Sequence, residues 1–420
     1  MINRLVSHWQ AAPRPALLGL LLFFCAGFAD GALVPFFPLW ASEEAGVPVG
    51  AIGLLFACYA GGELVAAPLI GGIADRIGRR PVLVASSLGV GSGFVALFFV
   101  HGVVVAAIVL ALIGVCESVL HPTILTVIAD VTPETEHRRW FSLARVSSGA
   151  GHILGPAVGA LFATISLRAV FLAAGGVLLL GGLAMLLGLS ETIDHLRVDG
   201  DDEQGEEGEG LSALLPAFRD GRLAKLLLWV VLFEVAGSWI ESVIPLYAHD
   251  AGTLTPSGVG TLFAYEAALM VGLQMAVSRA VQARSVLRLT VCAGGTTIVA
   301  FAVLAVSASI IWLLCAVSLC AIAQMLVGPL VPTAVSARAP KAQRASYMAA
   351  SSVAVDLKDS LGPSVGTALF ALAPRLPWIV GIPLVALASL GLGAAIGRAD
   401  GSRSAPTPDR NVGPEAATSD

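Results

Sequence analysis

The sequence contains LGPAVG at residues 154–159 and LGPSVG at residues 361–366, so one short motif occurs twice. The two copies are offset by 207 residues (361 less 154). A second pair has the same offset, because PLWA begins at Pro38 and PLYA begins at Pro245 (245 less 38). A constant offset between unrelated motifs indicates a duplicated chain. We therefore predict two structurally similar halves.

The composition identifies the solvent around these halves. Hydrophobic residues make up 56% of the chain, charged residues only 13%, and the mean hydropathy is +0.86. A soluble domain carries roughly 25% charged residues. Helices are the expected elements, because open sheet edges cannot be satisfied in lipid. Twelve apolar runs approach the length of about 20 residues that spans a bilayer. They lie near 16–39, 49–71, 81–100, 103–129, 141–164, 169–189, 224–247, 256–279, 286–306, 309–335, 345–371 and 377–397.

The predicted fold is thus an all-α membrane protein with twelve transmembrane helices in two parallel-repeat six-helix bundles. The first bundle is predicted at 1–190 and the second at 223–400. Residues 191–222 include the acidic run DDEQGEE and read as a cytoplasmic linker, and residues 401–420 as a disordered cytoplasmic tail.

Basic residues indicate the orientation. If both termini are cytoplasmic, then of the 24 Lys and Arg only Arg168, Arg375 and Lys358 lie outside the cytoplasmic segments. An excess of Lys and Arg marks cytoplasmic loops. We therefore expect a multi-pass protein of the cell (inner or plasma) membrane with both termini in the cytoplasm.

The segment GGIADRIGRR at 71–80 follows the second run. It resembles the cytoplasmic signature loop of the major facilitator superfamily. The resemblance implies a secondary active transporter that works by alternating access. It also implies a conformational latch, assigned to Gly71, Asp75, Arg76, Gly78, Arg79 and Arg80. The equivalent loop of the second half has Gln282 where the first has Asp75.

The segment around the repeated motif, GHILGPAVGA at 151–160, is similar to the motif of the superfamily's antiporters, and it implies export. Asp30, with Pro35 and Pro38, fits the drug:proton antiporter branch. One departure is Leu110, which occupies the place of the family's usual motif arginine. Small residues four apart allow helices to approach closely, and proline bends a helix. This helix-bend motif comprises Gly151, Gly155, Pro156, Gly159, Gly362, Pro363 and Gly366.

Ionisable residues inside the predicted spans are costly in lipid, so each indicates function or a buried partner. Apart from Arg288 at the cytoplasmic start of the ninth run, none of them lies in the third, sixth, ninth or twelfth run. Asp30 is our first candidate for proton coupling and Asp359 the second. The predicted residues of a proton-coupling and substrate cavity are Asp30, Glu63, Glu117, His121, Glu234, Glu266, Asp356, Lys358 and Asp359.

Helical spacing predicts some contacts within this set. Glu117 and His121 are four residues apart on one helix face and are expected to share a proton. Lys358 points about 100° away from Asp359 on a helix, so we expect it to pair elsewhere or titrate. For His152 a packing role, and for Glu241 a place at the outer interface, are open alternatives.

The sequence favours proton-coupled export (antiport) of a small organic compound, with a cationic one preferred by the excess of acidic groups. A transporter of metal ions or a metal chelate is one alternative, and a non-transporting sensor or assembly protein on the same fold is another. We expect no enzyme activity, no cofactor and no bound metal. The expected partners are the lipid bilayer, a small-molecule substrate and protons, without nucleic acid, and the expected state is a monomer.

Overall fold

A computed structural model describes residues 13–70, 77–190, 219–281, 284–340 and 344–403. These ranges form helices and short turns, and no strand occurs within them.

The first half consists of six helices with short connections, and a 3₁₀ turn at Glu134–Glu136 precedes the fifth. The helices are α1 (Arg14–Glu43), α2 (Val49–Ile70), α3 (Arg79–Leu97), α4 (Val103–Val131), α5 (His137–Ala163) and α6 (Leu167–Gly188).

The second half repeats this order, but two of its helices are interrupted. The seventh breaks at Ser238, and the tenth breaks at Gly328 and Pro329. The helices are α7a (Gly221–Gly237), α7b (Trp239–Asp250), α8 (Pro256–Val281), α9 (Val286–Val306), α10a (Ile310–Val327), α10b (Leu330–Arg338), α11 (Arg344–Leu372) and α12 (Leu376–Arg403).

The helix boundaries carry the sequence offset. α1 covers 14–43, and the two pieces of α7 together cover 221–250, which is 207 residues later at both ends (221 less 14; 250 less 43). α4 covers 103–131 and α10 covers 310–338 with the same offset (310 less 103; 338 less 131). The predicted duplication is confirmed.

Eleven helices of the described chain are long and apolar enough to cross a membrane. The twelfth, α11, is 29 residues long but contains Asp356, Lys358 and Asp359 along its length. It packs between α2 of the first half and both pieces of α7. The predicted twelve-helix fold is confirmed, and the helix with three charged residues in its span packs against helices of both halves.

The closest helix pair of the first half, α1 and α5, is packed through glycines. A Cβ atom on Gly151 would overlap backbone atoms of Phe24 and Phe28 of α1, and one on Gly155 would overlap Phe28 and Ala32. The contact is reciprocal, because Gly27 and Gly31 of α1 face the α5 backbone at Ser148 and His152 in the same way. The third glycine of the motif, Gly159, packs on the ring of Phe36.

The equivalent contact in the second half joins α11 to α7. Gly362 lies against Ser238, and Gly366 lies against Trp239, whose indole Nε1 donates a hydrogen bond to the Gly362 carbonyl at 2.9 Å. Pro156 and Pro363 both lie within helices, so neither ends its helix.

The predicted domain boundaries differ slightly from the helix ends. α7a begins at Gly221, within the predicted linker 191–222, because Asp220 caps it by accepting a hydrogen bond from the Arg222 N–H. α12 continues to Arg403, past the predicted start of the tail at residue 401. Residues 1–12, 191–218 and 404–420 lie outside the described residues, so the linker and tail stay predictions.

We expect Gly155→Ala to destabilise the protein by about 1–3 kcal/mol, because a methyl group must be inserted between two helix backbones. Gly149→Ala is the matched control on the same helix, since nothing lies within 4 Å of its Cβ position. Melting temperatures of the two purified variants test the contact, and an equal effect of both substitutions would contradict it.

Candidate functional site

A cavity of about 510 Å³ lies between the two halves. Its described walls come from α1, α2, α4 and α5 of the first half and from α7, α8, α10 and α11 of the second. No wall residue of this cavity belongs to α3, α6, α9 or α12, the helices that contain none of the predicted cavity residues. Its apolar surface includes Phe37, Phe56, Phe263 and Met270.

The first-half wall holds a hydrogen-bonded acid pair. The carboxyls of Asp30 (α1) and Glu117 (α4) lie next to each other, close enough for a side-chain hydrogen bond. The Tyr59 hydroxyl (α2) donates a second hydrogen bond to Glu117 Oε2 at 2.5 Å. A carboxylate only accepts, so two carboxyls can bond to each other only if one carries a proton. This geometry allows the acid pair to share one proton between two helices.

Helix packing positions the pair. Asp30 precedes Gly31, and the close contact of Gly31 with the α5 backbone at His152 fixes the height of α1 against α5. Glu117 is only 4% exposed, so its carboxyl depends on Asp30 and Tyr59 for hydrogen bonds.

His121 and Glu63 also line the cavity near the acid pair. The ring of His121 packs on Phe23 with centroids 5.5 Å apart, and its nearest acidic neighbour is Glu117. The hydrogen bonds found for Glu117, however, come from Tyr59 and Asp30. Tyr59 was not predicted at the site, because its hydroxyl is uncharged near neutral pH and only charged groups were expected to indicate a site.

The second-half wall holds Lys358 and the acids Glu241, Glu266 and Asp359. Lys358 Nζ lies 3.2 Å from Asp359 Oδ1, and its charge also interacts with Glu241 and Glu234. The expectation that Lys358 pairs away from Asp359 was wrong, because the long flexible side chain of Lys358 bends towards the neighbouring Asp359. It was correct in that other acids neighbour the ammonium group.

The break in α7 explains the position of Glu241. The helix restarts at Trp239, which puts Glu241 in the first turn of α7b, where it lines the cavity rather than the outer interface. His152 also lines the cavity, and its backbone packs against Gly31 of α1. Glu234 was predicted at the cavity but is not among its lining residues, because it lies on α7a before the break.

The remaining predicted site residues are Glu266 and Asp356. Glu266 on α8 is 6% exposed and lines the cavity beside Gln324 of α10a. The side chain of Asp356 lies outside the described residues.

The two halves also touch at the end of the bundle where α1 and α7b finish. His249 Nε2 lies 2.6 Å from Glu43 Oε1, and the Ser364 hydroxyl donates a hydrogen bond to the Gly53 carbonyl at 2.7 Å. Gly53 allows this contact, since a Cβ there would overlap the Ser364 backbone. These contacts hold the halves together on one side of the cavity.

The sequence model of the Major Facilitator Superfamily matches residues 19–363, a range that includes every residue lining the cavity. The chain belongs to the Major Facilitator Superfamily.

Relatives within the superfamily have names that refer to drug resistance. The chain is 34% identical over 178 residues to the class E tetracycline resistance protein of Escherichia coli, covering 42% of this chain and 43% of the relative. It is 26% identical over 272 residues to the class D protein of Salmonella ordonez (62% and 66%). A multidrug resistance protein of Escherichia fergusonii, MdtG, is 26% identical over 251 residues (58% and 58%). Each match thus spans less than two thirds of the relative.

Solved structures share the fold over nearly the whole chain. The D323A mutant of nucleoside transporter NupG matches with a TM-score of 0.76 at 11% identity, covering 91% of this chain and 99% of that one. A bacterial homolog of the lysosomal transporter Spinster matches with a TM-score of 0.73 at 15% identity, covering 94% and 100%.

Part of the superfamily's signature loop lies within the described residues. Gly78 has a φ of 110°, which favours glycine, and it starts α3. Arg79 forms an ion pair with Asp130 at the end of α4, and Arg80 donates a hydrogen bond to the Leu186 carbonyl at 2.7 Å. Gly71, Asp75 and Arg76 lie outside the described residues, so the latch stays a prediction.

Two observations bear on coupling and on metals. Leu110, at the place of the motif arginine, lines the cavity and is 2% exposed, so α4 brings no cation to the acid pair from that position. Within the part of the chain that the structure describes, no three His, Cys, Asp or Glu residues form a group suited to a metal ion.

We expect infrared spectra at neutral pH to contain the carbonyl stretch of the protonated carboxyl shared by Asp30 and Glu117. Either Asp30→Asn or Glu117→Gln should remove this band, because the remaining acid can then accept hydrogen bonds as a carboxylate. Tyr59→Phe is the control, since it removes a donor but leaves both carboxyls, so the band should persist. Unchanged carbonyl spectra in both acid variants would contradict the shared proton.

Proposed function

We propose that this protein is a secondary active transporter that exports a small organic compound in exchange for protons by alternating access. The observation that carries the proposal is the Asp30–Glu117 acid pair in a cavity between the two halves of a Major Facilitator Superfamily fold. An ionisable group inside the membrane that faces a cavity is typical of a proton relay.

The acid pair has the properties that proton coupling needs. With one proton the pair carries a single negative charge, held by the Tyr59 hydroxyl. A second proton makes it neutral and removes the need for a counter-charge. Because Leu110 supplies no positive charge, the charge state of the wall depends on protons rather than on a fixed cation. The proton on Asp30 can therefore change the relative stability of the two transporter conformations.

The cavity fits an organic substrate. Its volume of about 510 Å³ lies within the range of roughly 300–1,000 Å³ that is usual for small-molecule pockets. Aromatic rings and a thioether line it together with acids, which favours an apolar compound with a positive charge. The names of relatives point to tetracyclines and to multiple drugs, so such compounds form the first test panel.

The other function classes receive less support. A transporter of metal ions is not favoured, since no three-ligand group occurs among the described residues. A sensor without transport would not need a protonatable pair in the cavity. Substrate-dependent proton flux into vesicles containing the purified protein separates transport from sensing.

The proposal includes the membrane topology and the oligomeric state. The protein acts as a monomer in the cell membrane, with bundles at 1–190 and 223–400, a cytoplasmic linker at 191–222 and both termini in the cytoplasm. The Glu43–His249 contact then lies at the external end, and the signature loop with the Arg79–Asp130 ion pair lies at the cytoplasmic end.

We expect Asp30→Asn to abolish uphill export and to retain downhill exchange, because the cavity survives while the pair loses one protonatable group. Asp30→Glu should keep partial activity with a shifted pH optimum. Asp250→Asn is the matched control, since Asp250 is exposed at the end of α7b. Transport in vesicles with and without an imposed proton gradient measures the difference. If Asp30→Asn still concentrates substrate, coupling belongs to another acid, and Asp359 is tested next.

The orientation has its own test. A reporter fused after Arg222 should score cytoplasmic, and one inserted in the turn at 251–255 between α7b and α8 should score external. The insertion site is suitable because Gly252 has a positive φ of 67° in a tight turn with no atom near its Cβ position. The opposite score for either reporter would refute the topology.

A further inference from the structure

We infer that Glu266 is the residue that binds the positive charge of the substrate, in a subsite of the second half that is separate from the proton-holding pair. The inference rests on the proposed function and goes further: it assigns an organic cation to one wall of the cavity and the proton to the other.

The carboxyl of Glu266 is buried and has no hydrogen-bond or ion-pair partner among the described residues. The residue is 6% exposed and faces the cavity, and no hydrogen bond or ion pair to its carboxyl occurs within the described part of the chain. Its electrostatic neighbour is another acid, Glu241. The ammonium group of Lys358 is engaged with Asp359 at 3.2 Å and interacts with Glu241 and Glu234. An acid in this position is served by a proton, by water or by a cation that enters the cavity, and of these only a cation from the substrate adds binding energy for transport.

The duplication shows why the two walls differ. Position 59 corresponds to 266, and position 117 to 324 (266 less 59 and 324 less 117 are both 207). In the first half Tyr59 donates to Glu117, so the acid is satisfied internally. In the second half the equivalent residues are Glu266 and Gln324. No hydrogen bond joins them in the described structure, although both line the cavity.

A third position removes the remaining partner. Asp30 corresponds to residue 237 (237 less 30 is 207), which is a glycine at the end of α7a. Glu266 therefore has no second acid equivalent to Asp30 with which to share a proton. The first half places two acids side by side, while in the second half Glu266 faces the cavity without the acid that would correspond to Asp30.

The neighbours of Glu266 favour an organic cation over a metal ion. Phe263 and Met270 lie one turn to either side on α8, and both line the cavity. Aromatic rings and thioethers attract organic cations and replace none of the oxygen ligands that a hard metal ion needs. Phe37 and Phe56 of the first half, with ring centroids 4.9 Å apart, form an apolar wall of the same cavity.

The test uses full-length protein in detergent and two probes. Tetraphenylphosphonium carries a permanent positive charge, so its own protonation cannot change. Triphenylphosphine oxide is neutral and carries the same phenyl groups on phosphorus. Equilibrium binding of radiolabelled tetraphenylphosphonium, and its displacement by triphenylphosphine oxide, are measured for the wild type and for Glu266→Gln, Glu266→Asp and Glu136→Gln.

We expect Glu266→Gln to weaken tetraphenylphosphonium binding by about tenfold or more, because a desolvated charge pair is lost. Affinity for triphenylphosphine oxide should not change, and Glu266→Asp should restore most of the binding of the cation. Glu136→Gln should match the wild type, because Glu136 lies outside the cavity and bonds to Trp140.

Three results would overturn the assignment. One is unchanged cation binding in Glu266→Gln, and another is an equal loss for both probes, which would indicate a packing defect. The third is a wild-type protein that does not bind tetraphenylphosphonium, or from which magnesium ions displace bound tetraphenylphosphonium.

The proposed function fails in a different way. Proton-coupled export of a neutral compound by Glu266→Gln would support that function and leave the binding comparison to decide the inference. Glu266-dependent cation binding by a protein without proton flux would support the inference and refute the function.

Discussion

Carboxyl groups that leave water need donors, counter-charges or protons within the protein, because hydrocarbon offers none of these. Here that need is met across helices rather than within them. Glu117 of α4 is held by Tyr59 of α2 and by Asp30 of α1, so three helices meet at one acid. The cavity has a fixed first-half wall because these three helices cannot separate without leaving a buried charge unsatisfied.

The glycine contacts make this arrangement possible. α1 and α5 approach until backbone meets backbone, which sets the height of Asp30 relative to its partners. In the second half the same contact is made against Ser238, where α7 breaks, and Trp239 takes the place next to Gly362. The same glycine-mediated contact thus involves a continuous helix, α1, in the first half and an interrupted helix, α7, in the second. The interruption lets the side chain of Glu241 face the cavity.

The sequence predicts the fold almost completely, because hydrocarbon thickness fixes the length of every span and a constant offset relates the halves. The site is predicted less well, for reasons that particular residues illustrate. Tyr59 carries no charge and gave no signal as an intramembrane ion. The helix breaks at Ser238, but the apolar run in the sequence continues through this position. The sequence therefore does not specify which way Glu241 faces. The bend of Lys358 towards Asp359 depends on rotamers that spacing does not specify. The duplication itself contains a signal for the site. The 207-residue offset pairs Glu117 with Gln324 and Tyr59 with Glu266.

The difference between the two walls gives the proposed exchange a physical basis. Both walls face one cavity, so the proton on the acid pair and the cation at Glu266 interact across a medium of low dielectric constant, where like charges repel strongly. Loading the acid pair makes that wall less negative and weakens its attraction for a cation. By linkage, a bound cation weakens proton binding by the same factor. Competition for a single carboxyl is then unnecessary for the proposed exchange, because charges on opposite walls of one cavity make simultaneous loading less favourable.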